Sequence, residues 1–186
     1  MAETQEIEEL ANKIAYAARK SFLELFKNGE RFYYCTFFTT GEGHAPSISA
    51  WSWEALTREA NKQAIHSDRP APEMADLIKW SYADSPYYCF GEENFADVYE
   101  SFAKRPFIWT LENEEWHKEL MLRLQAMEIA LKMLDEEGLF SLNQPRDAIC
   151  ITVEIMPPEE INSQIALRLN NPSSPTLQQW LAEAAE

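Results

Sequence analysis

A chain of 186 residues, 46% hydrophobic and 25% charged, has the length of one domain and enough apolar residues to bury a core, which excludes a disordered segment. Its 16 Lys and Arg stand against 31 Asp and Glu, a formal net charge of -15, and this argues against nucleic acid, because a phosphate backbone needs a basic patch. No apolar run approaches the ~20 residues that cross a bilayer, so no membrane partner is expected.

The spacing of Ile7, Leu10, Ala11, Ile14, Ala17, Ala18, Phe22, Leu25 and Phe26 predicts an amphipathic helix over residues 4–28, with Thr4 as its cap and Gly29 after its last turn. The run Arg31-Phe32-Tyr33-Tyr34-Cys35-Thr36-Phe37-Phe38-Thr39 is apolar at both parities. It reads as a strand covered on both faces, near the middle of a sheet. Gly41-Glu42-Gly43 supplies a turn, and Pro46 to Trp51 returns as a second strand. A short helix follows from Trp53 to Gln63 with Ser52 as cap, and Pro72 opens another that reaches Lys79.

From Trp80 to Gly91 no period is visible, but five aromatics gather around a turn at Asp84-Ser85-Pro86. A helix over residues 92–104 ends before Pro106. Residues 113–137 form the longest helix, whose apolar stripe through Leu120, Leu124, Met127, Leu131 and Leu134 is broad enough for contact on more than one side. Ile149, Ile151, Val153 and Ile155 alternate with Cys150, Thr152 and Glu154 in a strand that Pro157-Pro158 ends. Two further helices, to Asn170 and after Pro175, complete the chain. The pattern is α+β, a single domain over residues 1–186 with a small, mainly antiparallel sheet packed by several helices.

Chemistry is sparse in this sequence. Three histidines and three cysteines show no metal-ligand spacing, and neither a P-loop nor a nucleophile elbow occurs, so no metal and no cofactor is expected. Cys35 and Cys150 fall inside strands, which leaves Cys89 as the one thiol to consider for a Cys/His site. Cysteines this far apart fit a reducing cytoplasm, and Met1 to Glu6 lacks the basic start and apolar stretch of a signal peptide. Most paired glutamates stand at helix starts, where the dipole favours them. Asp135, Glu136 and Glu137 instead crowd a helix end, where it disfavours them by ~0.3–1 kcal/mol. That cluster is therefore a candidate contact for a basic partner, and the aromatic loop offers Tyr87 and Tyr88 as anchors beside Asp84.

The long first helix, then Phe32-Tyr33-Tyr34-Cys35-Thr36-Phe37, the loop Trp80-Ser81-Tyr82-Ala83-Asp84-Ser85-Pro86 and the helix end Leu134-Asp135-Glu136-Glu137-Gly138-Leu139-Phe140 together resemble a bacterial family of domains of unknown function of about this length. Some families of that kind lie among the immunity proteins of toxin systems. The resemblance implies no catalytic residue. The expected function is therefore a non-enzymatic, acidic protein-binding domain of the immunity type with a basic protein partner. A small hydrolase near Cys89 and a structural subunit that forms a homodimer through the aromatic loop are the alternatives.

Overall fold

The aromatic and β-branched run after Gly29 forms the middle of the sheet. In a computed structural model that describes residues 2–184, β1 (Phe32–Thr40) lies between β2 (Ser47–Ser52) and β3 (Cys150–Met156), in the order β2-β1-β3. Met1, Ala185 and Glu186, the ends of the expected 1–186 domain, fall outside the described residues. Phe32 to Phe37 are all buried, as a strand apolar at both parities requires. β1 pairs antiparallel with β2 and parallel with β3, so the sheet is mixed, where the sequence pattern suggests a mainly antiparallel one. A parallel neighbour needs a long crossover instead of a hairpin. The helices between β2 and β3 provide it.

The α-helices among the described residues are, in chain order, α1 (Ala2–Phe26), α2 (Trp53–Ala64), α3 (Ala71–Ile78), α4 (Ala96–Ala103), α5 (Asn113–Glu136), α6 (Glu160–Leu169) and α7 (Pro175–Glu183), of which α2 to α5 make up the crossover. The first turn of the predicted 92–104 helix is a separate 3-10 segment, Glu92–Phe95. Ser52 caps α2 by accepting from the Ala55 N–H at 2.9 Å, as expected. One face of the sheet, with Cys35, Phe37, Val153 and Ile155, packs on Ile14, Ala18 and Phe22 of α1 and on Leu124, Met127, Leu131 and Leu134 of α5. The other face, with Tyr34, Trp51 and Cys150, meets Ala55, Leu56, Ile78, Leu177 and Trp180 from α2, α3 and α7.

β3 is an edge strand, yet side chains cover its outer edge at Ile151 and Ile155. Asn170 accepts from the Ile151 N–H at 3.0 Å and donates to its carbonyl at 2.7 Å. Asn162 does the same at Ile155, at 2.9 and 3.1 Å. Two side chains thus stand in for a fourth strand and satisfy backbone groups that burial would otherwise orphan. The alternating pattern of β3 also hides a second covered face: Thr152 is fully buried and Glu154 is only 8% exposed.

Candidate functional site

The sheet face towards α7 carries its polar residues in register, with Tyr34 opposite Cys150, Thr36 opposite Thr152 and Phe38 opposite Glu154. The 80–91 loop lies over this face, held by hydrogen bonds from Ser49 Oγ to the Tyr82 carbonyl (2.8 Å), from Trp51 Nε1 to the Ser81 carbonyl (2.7 Å) and from Ser85 Oγ to the Ala50 carbonyl (2.5 Å). Lys79 secures α7 alongside, donating to Glu183 at 2.9 Å while Trp80 Nε1 donates to the same carboxylate at 2.8 Å. Between the loop, the end of β3, α6 and α7 remains a cavity of about 160 Å³, lined by residues that include Trp80, Tyr82, Glu154, Asn162 and Trp180. That is the scale of the ~150 Å³ cavity that admits a benzene molecule.

Burial pushes the Glu154 carboxyl up to about 7, against a partial opposing pull from Tyr34 and Trp180. The Tyr34 hydroxyl and the Trp180 indole nitrogen are both buried, and neither reaches a partner in ordinary hydrogen-bond geometry. Both lie close enough to the carboxyl to pull its pKa down. No cation is among the groups that set its pKa. Burial, and then the Glu154 charge, push the Tyr34 hydroxyl and the Cys150 thiol up as well. A carboxyl poised near neutrality can exchange a proton or face a positive charge. The neighbouring Ser81 hydroxyl donates to Asp84 at 2.6 Å, and no group of His, Cys, Asp and Glu among the described residues could hold a metal ion. Sequence reasoning passed over Glu154; the available signal was one acid between Val153 and Ile155 in a strand otherwise free of charge.

The expected contact residues divide. Asp84 and Tyr88 are exposed on the loop, and Tyr88 stacks on Phe38 at 5.1 Å, which stacks in turn on Tyr82 at 4.4 Å. Tyr87 turns inward, where its hydroxyl donates to Glu30 at 2.6 Å and accepts from Asn28 at 3.1 Å. Burial, and then Glu30, push that phenol up to about 12. Asp135 pairs with Arg146 at 2.5 Å, and Glu137 takes both arms of the Arg19 guanidinium. The repulsion expected at this helix end is thus relieved within the chain, and Glu136 stands exposed between the two pairs. Cys89 is half-buried at φ 54 and touches the Tyr88 hydroxyl. His44 bonds Thr40 at 2.6 Å and His117 lies by Trp116, contacts that do not involve Cys89.

A second feature escaped the sequence reading. Pro106 ends α4, and a short 3-10 turn follows at Ile108–Thr110. Ile108 is buried and anchors this turn, which leaves Phe107 and Trp109 on either side of it 62% and 61% exposed, stacked at 5.2 Å. They border a cavity of about 280 Å³ that His44, Tyr99 and Phe102 help to line. Exposed Glu112, Glu114 and Glu115 follow directly. Beneath lies a buried charge network in which Glu119 accepts from Arg105 (2.5 and 2.8 Å) and Arg123 (2.7 Å). Burial alone would raise the Glu119 pKa; the two guanidiniums overcome it and hold the carboxyl below the usual range.

No helix among the described residues is long and apolar enough to cross a membrane. No curated protein and no solved structure matches the chain. A family model described as a domain of unknown function, DUF4303, matches residues 14–171, which hold the sheet, the aromatic loop, Glu154 and the Phe107–Trp109 turn. By that match over most of its length, the chain belongs to the DUF4303 family.

Proposed function

We propose that this is a non-enzymatic, acidic binding domain that engages a basic protein partner through Phe107 and Trp109, acting in the bacterial cytoplasm as an immunity-type protein that neutralises a toxin. The observation that carries this reading is the stacked, solvent-facing pair of rings beside the acids Glu112, Glu114 and Glu115. Aromatic side chains supply much of the binding energy at protein interfaces. At least ten of the sixteen Lys and Arg are neutralised in ion pairs within the chain, and the net charge of -15 attracts positive partners at long range. A nuclease toxin must be basic to hold its substrate, which makes an acidic inhibitor a fitting counterpart. Asp84, Tyr88 and Glu136 add exposed acid and aromatic surface to the same end, whereas Tyr87, Asp135 and Glu137 are engaged by other groups of the chain.

Capture from the host cytoplasm with the full chain as bait tests the reading. A basic protein recovered by the wild type and lost with Phe107→Ala/Trp109→Ala supports it. Recovery undiminished in that variant, or self-association through the rings as a stable homodimer, would overturn it.

A further inference from the structure

The Glu154 pocket stands apart from the partner-binding surface and poses its own question. Glu154 lines it, and among the described residues no cation is one of the groups that set its pKa. Two buried groups directed at that carboxyl, the Trp180 indole N–H and the Tyr34 hydroxyl, lower its pKa yet form no hydrogen bond of ordinary geometry. The walls include Trp80, Tyr82 and Trp180, and the space is about 160 Å³. Aromatic walls around a carboxylate complement an organic cation, because the ring quadrupole and the negative charge attract the same ligand. We propose that this pocket binds the ammonium or guanidinium head of an organic cation, with Glu154 as its counter-ion. The ligand comes either as a free small amine or as the end of a Lys or Arg side chain.

Polar satisfaction supports the assignment. A cation drawn to the Glu154 carboxylate keeps its charge ionised, and an ionised carboxylate is the better acceptor for the Trp180 and Tyr34 donors. The half-buried Tyr82 and Met156 and the exposed Pro158 form part of the rim, which gives a ligand of a few heavy atoms a way in.

The test is titration of the full chain with n-butylammonium chloride, with n-butanol as the neutral counterpart and with a blocked Gly-Lys-Gly peptide, all at constant ionic strength. The Trp180 indole N–H resonance, assigned through Trp180→Phe, is the readout. Saturable shifts with butylammonium and not with butanol are expected, and Glu154→Gln should weaken them at least ~10-fold, equivalent to ~1.4 kcal/mol. Saturation by the free amine alone identifies a small-molecule ligand; saturation by the peptide as well identifies a side chain of a partner. Wild-type protein gives an independent check, since binding should weaken as pH falls below 7. The titratable groups facing Glu154 are Tyr34, Tyr82 and Cys150, all shifted upward and silent in that range. No saturation by either cation, equal binding of butanol, or an unaltered affinity in Glu154→Gln would overturn the proposal.

Discussion

Asn170 and Ile151 exchange two hydrogen bonds, N–H to Oδ1 at 3.0 Å and Nδ2 to carbonyl at 2.7 Å, so that one side chain completes the edge of β3. Asn170→Ala leaves a buried donor and acceptor unpaired, which should cost about 1–3 kcal/mol for each such group. Urea denaturation checks this through a lowered midpoint at constant slope. A midpoint equal to the wild type would mean that the edge finds other partners.

Glu154 makes stability depend on pH in a direction opposite to that of a paired acid. Its folded pKa of about 7 lies above the ordinary 4.5, so the folded state holds the proton more tightly than the unfolded chain does. Stability is therefore highest below pH 4.5 as far as this group is concerned, and it is lost as pH rises towards 7. Glu154→Gln removes the penalty, at most about 3 kcal/mol at pH 8, and should raise the melting temperature there by roughly 5–10 °C. At pH 4 the two proteins should melt alike. A variant that melts lower than wild type at pH 8 would contradict the assignment.

Leu124 and Leu131 are buried between α5 and its neighbours. Truncating either to Ala should cost about 2–5 kcal/mol, the range for buried leucines, read from thermal or urea unfolding. Wild-type stability in both variants would place α5 at the periphery.

That helix shows where the sequence was readable. A stripe too broad for one contact marked α5 as central, and the double-faced apolar run marked β1 as the middle strand, because hydrophobic periodicity follows directly from burial. Strand direction left no such trace: β3 alternates like a strand with one polar face, and its parallel pairing depends on distant helices. Glu154 was hidden for the same reason, since its burial comes from α7 and the 80–91 loop. Local helix physics disfavours Asp135 and Glu137, but Arg146 on another element and Arg19, remote in sequence, pair with them. Phe107 and Trp109 belonged to no periodic segment, and only the anchoring of Ile108 reveals that they face out.

The thiols should separate cleanly by burial. Cys35 and Cys150 are inaccessible and burial pushes both upward, so a thiol reagent should label only the half-buried Cys89 in the native protein and all three in denaturant. Native labelling of Cys35 or Cys150 would show that the sheet opens far more readily than its packing implies.

The central claim concerns Phe107 and Trp109, and the dissociation rate of the basic partner tests it most directly. Captured partner is released from immobilised wild type and from the Phe107→Ala/Trp109→Ala variant at low and high salt. Buried anchors act chiefly on dissociation and rim charges on association. The double variant should therefore release the partner at least ~30-fold faster, the equivalent of ~2 kcal/mol for a truncated hot spot, while added salt mainly slows association. Equal dissociation rates for the two proteins would contradict the account.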